Sequence, residues 1–443
     1  MKLSFKQLIA LGFMLFALFL GAGNIIFPPY LGQQAGTNAW KAVLGFLTTG
    51  VGLPLLGITA IALTGDFHIL ANRVGPRFAK IFPIVVYLTI GPFFATPRTG
   101  TVTYEVGVSP FLSEQLRTSP IPLLIFTILF FLLTGWLSMT PSKLVDRIGK
   151  IITPVLLIVL VILVAKGFIT PMGTPWQPIA PFDTQAFSTG FIQGYLTMDT
   201  LAALVFGIVV ISGIKEMGIT DPADITRSCI SAGVIAAAGL AFVYISLSFI
   251  GATSPDTIGL KDNGAALLSA AAQHLYGPFG SIILAMTIFL ACITTSVGLV
   301  SACSKYFSNL IPKLSYQSLV VVFSLFSMVV ANVGLTQLIQ LSLPVLTMIY
   351  PIAIVLILLS FINKWFGGSS SVYVYALTAT GFVSFFDGLK AANIHIASVE
   401  SLLGYLPLQA HGIGWFVPAI VGAFIGYLFR SKEEKTEEKG AIV

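Results

Sequence analysis

Charged residues are scarce in this chain. Only 9% of its 443 residues are Asp, Glu, Lys or Arg, whereas soluble domains carry about 25%. Hydrophobic residues make up 56% of the chain, and its mean hydropathy is +0.95. A soluble globular fold is therefore excluded, and the sequence predicts an all-α protein that crosses a membrane many times.

Cysteine and histidine are also rare. The chain has three cysteines and four histidines, and no two histidines stand at the spacing of metal ligands on a helix. No glycine-rich phosphate loop followed by Lys-Ser/Thr is present, and no loop carries a basic stripe with interleaved aromatic residues. We therefore expect a protein that is not an enzyme, has no cofactor, is not driven directly by ATP and does not bind nucleic acid.

Long uncharged stretches predict the membrane helices, because crossing a bilayer takes about 20 apolar residues. We predict twelve helices, and they cover residues 7–33, 41–64, 80–107, 119–139, 147–169, 187–213, 225–252, 277–303, 316–334, 338–362, 372–388 and 413–430. They form one transmembrane domain over residues 1–430, and the mixed-charge run 431–443 is expected to be a flexible cytoplasmic tail. Residues 263–277 predict an amphipathic helix that is either an external lid or a passive connector.

Positive charges orient these helices. With the N-terminus in the cytoplasm, most Lys and Arg residues lie on the cytoplasmic side, as the positive-inside rule requires. The residues left outside are Lys41, Arg117, Lys166, Lys261 and Lys390. An even number of helices returns the C-terminus to the cytoplasm. The first helix is too long for the apolar core of a cleavable signal, so we expect it to be retained.

Two of the predicted helices contain residues that interrupt a helix. In the first, Gly21 and Gly23 permit backbone angles that a helix does not use, and Pro28 and Pro29 lack a backbone N–H. In the sixth, residues 194–200 insert a glycine, hydroxyls and an acid at about the same depth. Unpaired peptide groups are tolerated at membrane depth only where they line a cavity or bind something. The interruptions therefore predict a site for a transported solute.

The positions of the interruptions suggest an internal repeat. If residues 7–169 and 187–362 are two copies of five helices, the odd number makes the second copy enter from the opposite face. The two broken helices then meet at the membrane midplane. Two extra helices follow over residues 372–430. The repeat is inferred only from where the interruptions lie, because the two halves share no visible sequence similarity.

Three motifs resemble those of a known family. They are GAGNIIFPP at residues 21–29, TPRTGT at residues 96–101 with TYE at residues 103–105, and GYLTMD at residues 194–199. In this order they are similar to the motifs of bacterial branched-chain amino acid:cation symporters, and the resemblance covers essentially the whole chain. It implies the LeuT-type five-plus-five fold and import of leucine, isoleucine and valine with sodium as the coupling ion.

The resemblance also implies where the solute binds. The backbone amides of Ala22 and Gly23 are expected to receive the carboxylate of the amino acid, which suits the positive end of a helix dipole. Asn24 is expected in the same site, with ligation of a second ion as an alternative or additional role. The full set of expected substrate-binding residues is Gly21, Ala22, Gly23, Asn24, Thr101, Glu105, Tyr195, Thr197 and Asp199.

A sodium site is implied between the first and eighth helices. The carbonyl oxygens of Ala17 and Leu20, just before the break, are expected to face the cation. Ala291, Thr294 and Thr295 repeat the spacing by which LeuT-type transporters place one carbonyl and two hydroxyls on sodium. The alternative is that these hydroxyls bond to carbonyls of their own helix or join neighbouring helices.

Charged side chains within the membrane are the remaining candidates. Arg98 and Glu105 are seven residues apart, hence on one face of the third helix with Thr101 between them, and Asp199 lies in the sixth helix. Because an ionised group at this depth is costly unless paired or hydrated, all should face the interior. We expect Arg98, Glu105 and Asp199 to form a gate or an ion pair, with a carboxylate on Arg98. The pair either contacts the solute or merely fixes helix packing.

Together these features predict a secondary active transporter in the cytoplasmic membrane of a bacterium, surrounded by lipid and importing branched-chain amino acids by sodium symport. The alternative is a proton-coupled transporter of another small neutral amino acid, in which Glu105 or Asp199 carries the proton. The preference among the three substrates, the ion stoichiometry and the oligomeric state stay open at this level.

Overall fold

The computed structural model describes residues 3–140 and 152–430, and every regular element in these ranges is a helix. In chain order the α-helices are α1 (Phe5–Phe19), α2 (Ala22–Ala35), α3 (Ala39–Leu47), α4 (Leu53–Thr64), α5 (Phe67–Asn72), α6 (Pro76–Leu88), α7 (Ala95–Gly107), α8 (Glu114–Arg117), α9 (Pro120–Ser138), α10 (Thr153–Ile169), α11 (Phe182–Gln193), α12 (Asp199–Glu216), α13 (Pro222–Ala252), α14 (Pro255–Ile258), α15 (Gly264–Tyr276), α16 (Pro278–Leu310), α17 (Tyr316–Ala331), α18 (Leu335–Phe361), α19 (Ser370–Ala391), α20 (Ala397–Leu403) and α21 (Phe416–Leu428).

Each of the twelve predicted membrane segments coincides with helix. Eight helical segments are long and apolar enough to cross a membrane, and they are Ala22–Thr64, Pro76–Phe111, Pro120–Ser138, Phe182–Glu216, Pro222–Ala252, Pro278–Leu310, Leu335–Phe361 and Ser370–Ala391. Four shorter apolar helices, α1, α10, α17 and α21, fall in the other predicted segments. The number of twelve crossings stays a prediction. The predicted start of the fifth helix at residue 147 and the tail at 431–443 lie outside the described residues.

The first predicted helix is broken as expected, but the break is short. α1 ends at Phe19, and Leu20 and an extended Gly21 (φ −106°, ψ −163°) connect it to α2. Pro28 and Pro29, which were expected to help unwind the chain, lie inside α2 instead. Because proline has no N–H, the two carbonyls one turn before them lose their helical donors. The break itself therefore depends on the glycine rather than on the prolines.

The sixth predicted helix is broken over the expected residues. α11 ends at Gln193, the segment Gly194–Thr197 forms a 3-10 turn, and Met198 takes a left-handed conformation (φ 64°) before α12 begins at Asp199. A left-handed conformation is uncommon for a residue other than glycine, and such residues cluster at functional sites. The break thus leaves backbone groups without helical hydrogen bonds beside the first residue of α12.

The third predicted helix, expected to be continuous, is interrupted as well. Between α6 and α7, the segment Thr89–Phe93 is a π-helical turn in which Gly91 has non-helical angles (φ −79°, ψ −116°) and is followed by Pro92. A Gly-Pro pair is a sequence pattern for such a disruption. α7 then restarts at Ala95, so that Arg98 lies in its first turn.

Glycines let α2 and α13 approach each other closely. A Cβ added at Gly32 of α2 would lie 2.0 Å from the Ser248 carbonyl oxygen, and one added at Gly251 of α13 would lie 1.9 Å from the Pro29 oxygen. Real side chains do not make such contacts, so both positions require glycine. The half-helix that follows the first break is therefore held backbone to backbone against α13.

The contact between α3 and α11 has the same form. A Cβ added at Gly45 would lie 2.0 Å from the Phe187 carbonyl oxygen, and one added at Gly190 would lie 2.0 Å from the Ala42 oxygen. The first half of the sixth predicted helix is therefore also held backbone to backbone against its neighbour. Because α2 follows its break whereas α11 precedes its own, the two contacts are not equivalent positions of a repeat, and the five-plus-five repeat stays a prediction.

Candidate functional site

The three interruptions border one internal cavity, which we call the central cavity. Its lining residues are Leu18, Phe19, Gly21, Ala22, Gly23, Asn24, Ile90, Ala95, Arg98, Thr99, Thr197, Met198, Asp199, Ala202, Phe206, Thr295 and Leu299. The space open to the centre of a water molecule is about 20 Å³, and a single water needs about 10–15 Å³ by this measure. In this conformation the cavity is therefore too small for a molecule of the size of leucine.

A buried hydrogen-bonded cluster joins the first break to the sixth predicted helix. Asn24 Oδ1 accepts the backbone N–H of Gly21 (3.1 Å). Asn24 Nδ2 donates to Asp199 Oδ2 (2.6 Å) and to the Tyr244 hydroxyl. The Tyr244 hydroxyl donates to the same carboxylate oxygen (2.8 Å). One amide side chain thus caps the start of α2 and also positions the first residue of α12.

Arg98 lies between the breaks of the first and sixth predicted helices, and it is 3% exposed. Its Nη2 donates to the Leu196 carbonyl oxygen (2.7 Å), within the unwound segment. The same nitrogen would lie 3.1 Å from a Cβ added at Gly23, and the guanidinium lies 5.5 Å from the centre of the Phe27 ring. Nη1 has no hydrogen-bond partner among the described residues. Arg98 therefore brings a buried donor with an unused N–H to the wall of the cavity.

The expected ion pair between Arg98 and a carboxylate is not formed. Within the described ranges, no Asp or Glu oxygen is paired with the guanidinium at 4 Å or less. Each group has neutral partners instead: Asp199 accepts from Asn24 and Tyr244, and Arg98 Nη2 donates to the Leu196 carbonyl. Arg98 and Asp199 still border the same cavity.

Glu105 and Thr101 do not occupy the positions expected for them. Glu105 is exposed and is not among the residues that line the central cavity. Thr101 is buried, but its hydroxyl donates to the Arg98 carbonyl oxygen (3.1 Å) and it does not line the cavity either. Two residues on the same face of a helix can lie at different depths in the membrane. Seven residues at 1.5 Å each place Glu105 about 10 Å further along α7 than Arg98.

Four of the five residues expected to bind sodium lie together between α1 and α16, namely Ala17, Ala291, Thr294 and Thr295. The Thr294 and Thr295 hydroxyls lie 2.9 and 3.2 Å from the Ala17 carbonyl oxygen. Thr294 Oγ1 also lies 2.9 Å from the Ala291 oxygen and close to a carbonyl of the preceding turn. Leu20 is the C-terminal cap of α1, one turn further along. The group is a cluster of hard oxygens, and its hydroxyls also join two helices, as the alternative interpretation expects.

The two other candidates of the sixth predicted helix point to different places. Thr197 lines the central cavity, and its hydroxyl donates to the Gly194 carbonyl oxygen (2.8 Å). Tyr195 does not line it. Its ring stacks on that of Tyr350 at 4.4 Å between centroids and borders a neighbouring cleft.

Several residues of the site were not predicted from the sequence. Tyr244 and Tyr350 are buried tyrosines in the apolar helices α13 and α18, and Phe206 and Leu299 supply apolar wall of the cavity. The hydroxyl of a buried tyrosine needs a hydrogen-bond partner. A tyrosine within an uncharged run was therefore the sequence feature that could have indicated these two residues. The two apolar wall residues follow no pattern that separates them from ordinary core.

The sequence matches a protein family described as branched-chain amino acid transport protein, over residues 4–433. It is 51% identical over 432 residues to the branched-chain amino acid permease BraB of Bacillus subtilis (strain 168), and the match covers 96% of each chain. It is 48% identical over 416 residues to the branched-chain amino acid transport system 2 carrier protein of Pseudomonas aeruginosa, and that match covers 94% of each chain.

Two solved transporter structures have a similar fold. One is Mhp1, a nucleobase-cation-symport-1 family transporter, in a closed conformation with bromovinylhydantoin bound; its TM-score is 0.60 at 16% identity, over 98% of this chain and 96% of that chain. The other is MhsT in complex with L-phenylalanine, with a TM-score of 0.58 at 15% identity, over 94% of this chain and 98% of that chain. At these identities the likeness shows the fold alone, which is LeuT-like.

Proposed function

This chain belongs to the branched-chain amino acid transport protein family, and from that membership we propose that it imports leucine, isoleucine and valine by sodium symport. The family consists of membrane transport proteins, so the chain is a multi-pass membrane transporter and not an enzyme. The proposed setting is a cytoplasmic membrane with both termini in the cytoplasm. Exposed apolar side chains of α9, such as Leu129, Leu132 and Trp136, would then face lipid.

The observation that carries the proposal is that the two broken helices and Arg98 meet at one cavity. The start of α2 presents the backbone N–H groups of Ala22 and Gly23, and Arg98 adds an N–H that has no hydrogen-bond partner in the described ranges. Asp199 adds carboxylate oxygens to the lining of the same cavity. A site that contains both N–H donors and oxygens suits the zwitterionic end of an amino acid.

The carboxylate of the solute is proposed to lie at the start of α2, within reach of Arg98 Nη1. A helix start favours an anion through its free N–H groups and its dipole, and a buried guanidinium adds a charge-assisted hydrogen bond. The branched side chain would lie against Ile90, Phe206 and Leu299. These apolar walls offer no hydrogen-bond partner for a polar or charged side chain, so such amino acids would be disfavoured.

Sodium is proposed to bind at the oxygens between α1 and α16. Hard cations prefer oxygen ligands, and the Ala17 and Ala291 carbonyls with the Thr294 and Thr295 hydroxyls are candidates already gathered in one place. Thr295 also borders the central cavity, and its Cγ2 would lie 3.0 Å from a Cβ added at Gly21, which is tighter than ordinary van der Waals contact. Occupation of this site would therefore fix the break to which the solute binds.

The small volume of the central cavity implies movement during transport. About 20 Å³ of free space cannot hold leucine, so the walls must separate before the solute can bind. In folds of this type, alternating access arises when the bundle that contains the broken helices rocks against the remaining helices. Downhill sodium movement would supply the energy, since one charge crossing 100 mV is worth about 2.3 kcal/mol.

One observation favours the second candidate, proton coupling. Asp199 is 2% exposed and has no cation within 4 Å among the described residues. A buried carboxylate without a paired cation is costly when ionised, which makes it a possible proton carrier. Glu105, the other carboxylate considered for this role, is exposed and lies away from the cavity.

The proposal is tested by uptake of radiolabelled leucine into liposomes that contain the purified full-length protein. The external cation (sodium or potassium), the pH gradient and the membrane potential are set independently. We expect accumulation only with an inward sodium gradient, with competition by isoleucine and valine but not by lysine or glutamate. Empty liposomes and protein liposomes without gradients are the controls.

Equal uptake in sodium and potassium at fixed pH would contradict sodium coupling. Uptake that follows an imposed pH gradient without sodium would support the proton-coupled alternative. Strong competition by lysine or glutamate would contradict the proposed substrate class, because the apolar cavity walls would then not determine selectivity.

A further inference from the structure

A second, larger cavity lies beside the central one, and we call it the outer cleft. Its volume is about 610 Å³, and residues from α11, α18, α19 and the segment before α21 line it. Its walls include Ile192, Pro351 and Trp415 as apolar groups and Asp387 and Lys390 as charged groups. By the predicted topology, all of these elements meet at the extracellular end of the bundle.

The two charges of the outer cleft lie on one face of α19. Asp387 and Lys390 are three residues apart, which places them one above the other on a helix. They do not form an ion pair within 4 Å in the described structure. Asp387 is half-buried and accepts a hydrogen bond from Gln409 Nε2 (2.7 Å), whereas Lys390 is exposed. A carboxylate held by Gln409 and an exposed ammonium group thus line the same cleft without direct contact.

Deeper in the cleft, two buried polar groups are not fully used. Tyr195 and Trp415 are 4% and 3% exposed. The Tyr195 hydroxyl and the Trp415 indole nitrogen lie near each other, yet neither completes a hydrogen bond of good geometry with a described residue. Both atoms are covered by protein, so the two side chains form the inner wall of the cleft next to each other and do not themselves face its open space.

The outer cleft also adjoins the route to the central cavity. Tyr195 borders the cleft and stacks on Tyr350, while Thr197 and Asp199, only a few residues later, line the central cavity. The unwound segment of the sixth predicted helix therefore forms part of the partition between the two spaces. A molecule held in the cleft would therefore lie beside a segment that also lines the central cavity.

We propose that the outer cleft binds a free amino acid with an apolar side chain before that molecule reaches the central cavity. The ammonium group would bind Asp387, the carboxylate would bind Lys390, and the side chain would lie against Ile192, Pro351 and Trp415. The charges recognise the zwitterion common to all amino acids, and the apolar wall favours those with aliphatic side chains. This inference rests on the proposed function, because it takes the transported solute as the occupant.

The test is the number of leucine molecules bound per chain. Binding of radiolabelled leucine to the purified full-length protein in saturating sodium is measured by equilibrium dialysis, and uptake is measured in parallel in liposomes. The unsubstituted protein is expected to bind two leucines. Asp387→Asn and Lys390→Gln are each expected to weaken the second binding event about tenfold or more, the usual effect of losing a charge-assisted hydrogen bond. Uptake should persist with a raised KM.

Lys390 is exposed, so its substitution does not threaten folding. Glu114 is also exposed, and Glu114→Gln is the matched control, which is expected to bind two leucines. One leucine per chain in the unsubstituted protein, with intact uptake, would overturn this inference and leave the proposed function standing. Two leucines in both cleft variants at unchanged affinity would also overturn it. Absence of leucine uptake by the unsubstituted protein would overturn the proposed function instead.

Discussion

Asn24 Nδ2 lies 2.6 Å from Asp199 Oδ2, and this hydrogen bond ties the two broken helices together. Asn24 belongs to the first turn of α2, and Asp199 is the first residue of α12. The same Asn24 amide caps Gly21 through its oxygen, and both residues contact Tyr244 of α13. Any separation of the two half-helices must break or carry along this cluster.

Removing the Asn24 side chain should destabilise the protein and disable transport. Asn24→Ala deletes the cap on Gly21 and leaves Asp199 with fewer donors, which we expect to cost about 2–4 kcal/mol for buried groups left unsatisfied. The measurements are thermal unfolding in detergent and leucine uptake in liposomes.

Gln33→Ala is the matched control for that substitution. Gln33 is also a buried amide of α2, with hydrogen bonds to Ser254, Gly259 and Lys261, but it does not line the central cavity. Gln33→Ala should lower stability by a similar amount while the remaining folded protein keeps its leucine affinity. If both variants lose affinity equally, the Asn24–Asp199 contact has no special part in binding.

The proposed sodium site predicts a selective loss of sodium affinity. Thr294→Ala and Thr295→Ala each remove one oxygen near the Ala17 carbonyl. We expect the sodium concentration for half-maximal uptake to rise about tenfold, as for loss of one interaction with a charged group. Leucine affinity at saturating sodium should change much less, although linkage makes it fall at low sodium.

Thr287→Ala serves as the control for the sodium prediction. Thr287 lies on the same helix and is fully buried, but its hydroxyl donates only to the Ile283 carbonyl of its own helix (2.8 Å). Its removal should leave the sodium dependence unchanged. An equal shift in all three variants, or in none, would assign Thr294 and Thr295 to helix packing.

Much of the fold could be predicted because it depends on short-range properties of the sequence. Uncharged runs located the helices, and the glycines near residue 21 and the polar insertion at 194–200 located two breaks, because these features act on the backbone where they occur. The break at Gly91 was not predicted, because the apolar content of the third predicted helix suggested a continuous helix, although Gly91-Pro92 is itself a local disruption.

The errors in the site have a different origin. The pairing expected for Arg98 assumed that a buried charge must find an opposite charge, but the guanidinium donates to a carbonyl freed by unwinding instead. Glu105 was placed by helix periodicity, which gives the face of a helix and not the depth along it. Tyr244 reaches Asp199 from α13, and such a contact between distant segments depends on packing that one sequence does not reveal.

Glycine contacts at the broken helices predict large effects of a small substitution. Gly251→Ala would force a Cβ to within 1.9 Å of the Pro29 oxygen, so α2 and α13 must move apart. We expect a loss of about 3 kcal/mol or more from overpacking against backbone. Gly190→Ala, at the similarly close contact of α11 with α3, should behave alike. The measurement is thermal unfolding, together with the fraction of protein that elutes as a single species.

Gly107→Ala is the control for the glycine prediction, since a Cβ there meets its nearest neighbour at an ordinary 3.7 Å. It should be neutral or stabilising, because alanine favours helix over glycine by about 1 kcal/mol. If Gly251→Ala and Gly107→Ala unfold at the same temperature, the close approach of α2 and α13 does not exist in the protein.

Arg98 gives the sharpest test of how the solute is recognised. Arg98→Lys keeps the charge but cannot both donate to the Leu196 carbonyl and present a second N–H to the cavity in the geometry of a guanidinium. Competition for radiolabelled leucine uptake is measured with leucine and with leucinamide, which lacks the carboxylate. The unsubstituted protein should prefer leucine strongly, and Arg98→Lys should lower that preference about tenfold or more.

Arg73→Lys, which alters an arginine that donates to Tyr373 outside the cavity, should leave the preference intact. If Arg98→Lys weakens both competitors equally, Arg98 supports the break of the sixth helix and does not contact the carboxylate.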